Sequence, residues 1–218
     1  MSIYAFVQRS QKAMVSQLSK PEATDVFYPD CDEQPMASNT EQYRWIVTIR
    51  ENLNWLLEDA FVAGDLFWYP VEGRADISVA PDVMVALERP KGKRLSYKQW
   101  EENNQAPQVV FEIISPSNTR KEMEQKLLFF ERHGVEEYYL YDTESRSLSG
   151  LLRGEFGLEH ITDMLGWVSP LLNIRFEISS DELVLYRPDG SPFLTYQEVI
   201  KKAEAAEQKA EAAEQKAE

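Results

Sequence analysis

The feature that most constrains the fold is a strand, a helix and a second strand in succession. The run "QVVFEII" over 108–114 and the run "EEYYLYD" over 136–142 are rich in β-branched and aromatic residues, which is typical of strands. Residues 120–133 between them have a helical pattern and are followed by Gly134, which tolerates the left-handed conformation found after helices. Strands joined by such a crossover are normally parallel. The pattern therefore predicts an α/β protein with a parallel pair in its sheet.

The rest of the chain adds helices and short strands around this unit. A helix is predicted from near Ser38, because Ser38 and Glu41 have the spacing of a capping box and apolar residues follow at helical intervals. The first 20 residues also show a helical stripe, and 96–104 is predicted to be a short helical piece. Further strands are predicted from "DLFWYPV", "DVMVAL" and "LSGLLR".

Three segments are expected along the chain. Residues 1–37 form an N-terminal helix and loop, residues 38–200 form one domain, and residues 201–218 form a helical tail of Ala, Glu and Lys. The tail repeats the heptad "KAEAAEQ", and its alanines mark a seam flanked by Lys and Glu. Because alanine buries little area, the tail is expected to be a lone helix or a weak coiled coil, and a homodimer joined through it is one expected assembly.

Composition limits the function before any motif is considered. The formal net charge of −14 argues against a protein that coats nucleic acid, although the local field at a site matters more than the total. No run approaches the roughly 20 apolar residues of a membrane span, and the first residues lack the continuous apolar core of a secretion signal. The one cysteine, Cys31, excludes an intrachain disulfide and suits a reducing compartment. We therefore expect a cytoplasmic protein with no membrane partner.

Two carboxylates and one lysine lie where the predicted structure makes a charged side chain costly. Asp82 follows Pro81 at the start of "VMVAL", and Glu112 lies inside "QVVFEII". An enclosed carboxylate must be neutralised, paired or bound to a cation. Lys126 lies beside the apolar stripe of the 120–133 helix, from which its amine can reach the strand ends. Each has an ordinary explanation as well: a turn for Asp82, a buried ion pair for Glu112 and snorkelling for Lys126.

Together the three side chains indicate metal-dependent cleavage of a phosphodiester. Carboxylate oxygens are hard ligands that suit Mg²⁺ or Mn²⁺, a bound metal lowers the pKa of water, and an ammonium can orient that water. The basic segment 89–98 is either a phosphate contact or a solvated loop. Other chemistries have little support, because His133 and His160 are isolated and no glycine-rich phosphate-binding motif occurs.

The stretch from Ala80 to Asp142 resembles the Uma two family of restriction-endonuclease-like proteins, which is abundant in cyanobacteria and belongs to the PD-(D/E)XK nuclease superfamily. The resemblance rests on "PDV", "FEIISPS", a lysine and "GVEEYYLYD" in this order, and it covers roughly residues 38–190. It implies a restriction endonuclease-like fold, in which a central mixed β-sheet is flanked by helices. It also implies that Asp82 and Glu112 are metal ligands.

One position departs from the superfamily pattern. Ile114, and not a lysine, stands two residues after Glu112. The resemblance implies that the lysine has moved to the following helix, where it is Lys126. Ser115 and Pro116 match the "SPS" turn of the family and are expected to shape the exit of the strand.

Two functions follow from these residues. The first is an endonuclease that acts on DNA, with Asp82, Glu112 and Lys126 as catalytic residues and Mg²⁺ or Mn²⁺ as cofactor. The second is an inactive nuclease-fold module for DNA binding or protein assembly, in which Glu112 and Lys126 form a structural ion pair. Asp65 and Glu41 are further candidate acids, against the ordinary interpretation of a surface turn and a helix cap.

Overall fold

The computed structural model describes residues 26–30, 39–179 and 182–217. The helix predicted within the first 20 residues and the single cysteine, Cys31, lie outside the described residues. The helix predicted from near Ser38 is present as α1 (Thr40–Leu56), and its N-cap is Asn39, whose side chain accepts a hydrogen bond from the backbone N–H of Gln42. Ser38 itself lies outside the described residues.

Three helices and a series of short strands make up the described chain. The helices are α1 (Thr40–Leu56), α2 (Arg120–His133) and α3 (Tyr196–Ala217). The strands are β1 (Ala60–Gly64), β2 (Trp68–Tyr69), β3 (Val83–Leu87), β4 (Tyr97–Lys98), β5 (Val109–Ile114), β6 (Glu137–Asp142), β7 (Ser147–Arg153), β8 (Leu158–His160), β9 (Arg175–Ser179) and β10 (Glu182–Tyr186), with a single 3₁₀ turn at Gln99–Glu101.

The central sheet is mixed, which confirms the predicted fold class. Its strand order is β1-β3-β5-β6-β7-β8, and β5 pairs with β6 in parallel through the crossover helix α2, while the other neighbours are antiparallel. Helix α2 begins with a capping box between Thr119 and Glu122 and ends at Gly134, which is left-handed with φ of 93°. These local signals fix where the chain leaves β5 and where it enters β6.

Each face of the sheet is covered by a separate apolar layer. One layer packs α1 and the β9–β10 hairpin against alternate residues of the sheet, such as Phe111 and Tyr139. The other layer packs α2 and the β2–β4 pair against the opposite residues, such as Val110 and Tyr138. Because strand side chains alternate, both faces of β5 are enclosed. A charged side chain in β5 is therefore inside the protein wherever it points.

Three segments of the structure differ from what the sequence predicted. The edge strand β1 was not expected, because "AFVAG" is short, contains Ala and Gly and lacks polar alternation. The run "DLFWYPV" forms only the two-residue strand β2, since Pro70 cannot donate a ladder hydrogen bond. Residues 96–104 form β4 and a 3₁₀ turn instead of a helix, and Trp68 and Tyr97 pair in parallel there.

The C-terminal helix α3 begins at Tyr196, five residues before the tail segment expected from the heptads. The proposed segment limits 1–37, 38–200 and 201–218 remain predictions. Among the described residues, no helix is both long and apolar enough to cross a membrane.

Candidate active site

The antiparallel pairing of β3 with β5 brings two acids face to face. Val83 is paired with Phe111, so the same register sets Asp82 directly opposite Glu112. Cβ atoms in directly opposed positions lie roughly 4.5–5.5 Å apart, and like charges there repel. Asp82 Oδ2 accepts a hydrogen bond of 2.6 Å from the backbone N–H of Ile113, which fixes the carboxylate at the mouth of its strand. The sheet therefore holds two carboxylates together at a cost that some other group must offset.

Glu112 is almost fully enclosed in the layer beneath α2. It is 2% exposed, and one of its carboxylate oxygens, Oε2, accepts a hydrogen bond from Lys126. The other oxygen, Oε1, is buried and has no hydrogen-bond partner among the described residues. Burial raises the pKa of Glu112 to about 8, the charge of Asp82 acts in the same direction, and the ammonium of Lys126 opposes both. This carboxylate consequently has unused capacity for a hydrogen bond or a cation.

Lys126 projects from α2 back onto the sheet. It lies one helical turn before the buried Phe130, on the side of the helix that packs against the strands. Its Nζ atom lies 2.7 Å from Glu112 Oε2, and its side chain is 17% exposed. Burial alone would lower the pKa of Lys126, but the carboxylates of Glu112 and Asp82 hold that pKa above its ordinary value. The lysine on the helix therefore reaches the glutamate on the strand, although an isoleucine occupies the position two residues after Glu112.

Burial also raises the pKa of Asp82, although the ammonium of Lys126, the N–H of Ile113 and the side chain of Gln42 lower it in part. Glu122 on the first turn of α2 adds a further negative charge that raises it. The three groups thus form one coupled set, in which removal of any member changes the charge state of the others.

The loop that leaves β5 is organised by side-chain hydrogen bonds. The backbone N–H of the buried Ser115 donates to Asn118 Oδ1 at 2.9 Å, and Asn118 Nδ2 donates to Glu122 Oε1 at 3.3 Å. Ser115 and Pro116 thus stand in a short turn that ends in the capping box of α2. This turn sets where α2 starts and therefore which helical residue lies over Glu112.

Gln42 is a site residue that the sequence interpretation missed. It is 6% exposed in the first turn of α1, and its Nε2 atom donates to the carbonyl of Ile113 at 2.9 Å. Its side chain also lowers the pKa of Asp82 by hydrogen bonding. Gln42 precedes the buried Trp45 and Ile46 by three and four residues. A polar side chain on the apolar stripe of α1 was therefore the feature of the sequence that could have identified it.

Tyr138 is a second residue near the acids that the sequence did not indicate. Its hydroxyl is buried without a hydrogen-bond partner among the described residues, and its ring packs edge-on against Phe130 at 5.0 Å. Burial raises the pKa of Tyr138, and the negative charges of Glu112 and Asp82 raise it further. Tyr138 could not be singled out from the sequence, because its place near the acids depends on the pairing of Val110 with Tyr138 in the parallel ladder.

The two additional acids considered from the sequence lie at the surface. Glu41 is exposed and pairs with Arg44 on the same helix. Asp65 is exposed in a left-handed turn with φ of 48°, and its backbone N–H donates to the carbonyls of Pro81 and Asp82. Within the described part of the chain, no group of three or more His, Cys, Asp and Glu side chains is arranged to hold a metal. Asp82 and Glu112 are thus the acids from the sequence prediction that the structure brings together.

Three of the five basic side chains of segment 89–98 bond to other groups of the same chain. Lys91 donates to the carbonyl of Asn54, Arg94 forms a 2.5 Å ion pair with Glu102, and Lys98 pairs with Glu101 at 3.4 Å. Residues 92–95 nevertheless line a cavity of about 630 Å³ together with the end of β1 at Gly64. Asp82, Glu112 and Lys126 are not among the residues that line this cavity.

The structure therefore brings Asp82 and Glu112 opposite each other on neighbouring strands, with Lys126 from the crossover helix bonded to Glu112. The chain belongs to the family described as "Uma2: Putative restriction endonuclease", whose model matches residues 33–192. Among solved structures, the chain is similar to one described as "a putative nuclease belonging to DUF820" from Anabaena variabilis, with 16% identity, a TM-score of 0.46 and coverage of 63% of this chain and 74% of that chain. A comparison with curated protein sequences found no match.

Proposed function

We propose that the protein is a metal-dependent endonuclease that cleaves phosphodiester bonds in DNA. The observation that carries the proposal is Glu112, a buried carboxylate that faces Asp82 across the ladder, bonds Lys126 through one oxygen and leaves the other oxygen without a partner among the described residues. DNA is proposed as the substrate because the family description is "Putative restriction endonuclease".

The donor set at the site fits a hard divalent cation. Asp82 and Glu112 supply carboxylate oxygens, and Glu112 Oε1 is the buried atom that such an ion would satisfy. A bound Mg²⁺ or Mn²⁺ would lower the pKa of a water and offset negative charge on the scissile phosphate. An ion between the acids would also relieve their repulsion, since both would then be stable in the ionised form.

The residues of the chain have separate tasks in this proposal. Asp82 and Glu112 hold the cation, and the hydrogen bonds from Ile113 and Gln42 keep Asp82 in place. Lys126 is fixed by Glu112 with its ammonium beside both acids, where it can donate to an attacking water and stabilise the charge that develops on phosphate. The enclosing layer of α2 restricts bulk water, which strengthens each of these interactions.

Plasmid nicking with isosteric variants tests the proposal. Asp82→Asn and Glu112→Gln are expected to lower the rate of Mg²⁺- or Mn²⁺-dependent nicking by about two to three orders of magnitude. Glu137→Gln is the matched control, because Glu137 is also a buried sheet glutamate but lies outside the site. Nicking by Glu112→Gln at the wild-type rate would contradict the assignment.

A second candidate function is a nuclease-fold module without catalytic activity, for DNA binding or protein assembly. The specific observation in its favour is that Lys126 already pairs with Glu112 within the chain, as a structural ion pair would. Calorimetric titration with Mn²⁺ separates the two functions. A folded wild-type protein that binds no Mn²⁺ and does not nick DNA would support the inactive module.

A further inference from the structure

Most of the C-terminal helix α3 extends into solvent. It spans Tyr196–Ala217, which corresponds to about 33 Å at 1.5 Å per residue, and its side chains are exposed from 196 to 215. Its first turn is fixed by a capping box, in which Thr195 and Glu198 bond each other's backbone and side chain. Helices in proteins usually gain most of their stability from packing. An exposed helix of this length therefore offers a surface that the described chain does not cover.

One face of α3 follows a continuous heptad pattern, which we call the α3 seam. It begins with two large exposed side chains, Tyr196 at 76% and Val199 at 48%, before the alanines take over. The spacing alternates three and four residues without interruption, as in a coiled coil. The seam consists of Tyr196, Val199, Ala203, Ala206, Ala210, Ala213 and Ala217.

The first turns of α3 hold opposite charges at helical spacing, since Glu198 precedes Lys201 and Lys202 by three and four residues, but the charges beside the later part of the α3 seam are not arranged to stabilise a lone helix. Lys209 has alanines at all four positions three or four residues away, so it has no acid neighbour on its own helix. Glu207 has Glu204 and Glu211 at those spacings, which places like charges next to each other. A single solvated helix would favour alternating opposite charges instead.

The same charges fit a second helix of identical sequence. Lys202 and Lys209 follow one edge of the seam, and Glu207 and Glu214 follow the other edge, each glutamate five residues after a lysine. In a parallel pair, one edge of each helix meets the opposite edge of its partner at this offset. In an antiparallel pair, lysine would meet lysine and glutamate would meet glutamate.

We propose that the α3 seam docks a second copy of this chain in parallel orientation. Lys202 pairs with the partner's Glu207 and Lys209 pairs with the partner's Glu214, and the two-fold symmetry repeats both pairs. Alanines allow the helices to approach closely but bury little area, so the edge charges decide whether the copies associate. The proposal is independent of the nuclease function, because assembly is measured without DNA or metal.

Sedimentation of the full chain with charge-reversal variants tests this assembly. The wild type is expected to show reversible association to twice the 25.2 kDa chain mass. Glu207→Lys with Glu214→Lys places lysine against lysine in all four pairs and should weaken association by about tenfold or more. Gln208→Lys with Gln215→Lys also adds positive charge, but on the outer face of α3 and not three or four residues from Glu207 or Glu214, so it should leave association unchanged.

A mixture provides the rescue experiment. Lys202→Glu with Lys209→Glu should weaken self-association to the same extent, and an equimolar mixture of this variant with Glu207→Lys/Glu214→Lys should form a dimer at the concentration at which the wild type does. A wild type that stays monomeric at every concentration would overturn the proposal. Equal loss in the outer-face control, or no dimer in the mixture, would overturn it as well.

Discussion

Two buried glutamates on neighbouring strands of the same sheet have opposite surroundings. Glu137 at the start of β6 is 0% exposed, and its oxygens accept hydrogen bonds from Tyr139 Oη at 2.9 Å, Ser169 Oγ at 2.5 Å and Leu171 N at 2.8 Å. Glu112 in β5 is 2% exposed and accepts from Lys126 through one oxygen, while the other has no partner among the described residues.

The difference separates a structural carboxylate from a candidate functional one. Burial raises the pKa of Glu137, and neutral donors from Ser169, Leu171 and Tyr139 offset part of that effect. Glu112 instead faces a second carboxylate and a lysine. A buried polar atom without a partner requires an explanation, and an ion or water is among the usual ones. We therefore interpret Glu137 as a structural residue that holds Ser169 and Leu171 in place, and we propose that Glu112 is a ligand of a metal ion.

Lys126→Met should have a large effect on both activity and stability, because Lys126 is the cation that faces Glu112. Loss of the ammonium is expected to lower nicking about 100-fold or more, and to lower the free energy of unfolding by roughly 1–3 kcal/mol because a buried carboxylate loses its cation. Plasmid assays and urea denaturation measure the two effects. Lys121→Met, an exposed lysine on the same helix, is the control and should change neither. Full activity in Lys126→Met would remove the lysine from the mechanism.

Glu137→Gln should act on stability alone. Its three hydrogen bonds to neutral donors cannot all be kept by an amide, so the free energy of unfolding should fall by about 1–3 kcal/mol. Metal binding by the folded protein should stay at the wild-type level. If Glu137→Gln weakened metal binding as much as Glu112→Gln does, the distinction between the two glutamates would be lost.

The pH dependence of stability gives a smaller, directional prediction. Because folding raises the pKa of Glu112 to about 8, the folded state binds a proton more tightly than the unfolded state does. The contribution of Glu112 to stability is full below its ordinary pKa of 4.5 and is lost as the pH rises through about 8. In metal-free urea titrations, the stability of the wild type relative to Glu112→Gln should therefore fall from pH 5 to pH 8. A rising difference would contradict the pKa assigned to Glu112.

Tyr138→Phe should have the smallest effect. The hydroxyl is buried without a partner in the described structure, while the ring packs against Phe130. Its removal should leave the free energy of unfolding unchanged or raise it by up to about 1 kcal/mol. If thermal or urea denaturation instead showed a fall in the free energy of unfolding of more than about 1 kcal/mol, the hydroxyl would have a hydrogen-bond partner in solution.

The sequence predicted those parts of the fold that depend on local patterns. The parallel β5–α2–β6 crossover followed from two apolar runs, the helical pattern between them and Gly134. Strand β1 was missed because Ala and Gly in "AFVAG" carry little strand signal, and its place at the sheet edge depends on pairing with β3. Long-range pairing of this kind has no local signature.

The candidate site shows the same limit. Asp82, Glu112 and Lys126 were noticeable because each puts a charge in an apolar pattern, and the structure brings the three together. Gln42 and Tyr138 were not noticed, because an amide on a helix and a tyrosine in a strand fit ordinary patterns. Only the packing of α1 against β5 and the register of β5 with β6 set them beside the acids.

Calorimetric titration of Mn²⁺ into the wild type, Glu112→Gln and Glu137→Gln tests the central claim most directly. We predict that the wild type and Glu137→Gln bind the ion with the same Kd, and that Glu112→Gln binds it at least about tenfold more weakly. Binding of equal strength in the wild type and Glu112→Gln, or no binding by the wild type, would contradict the account.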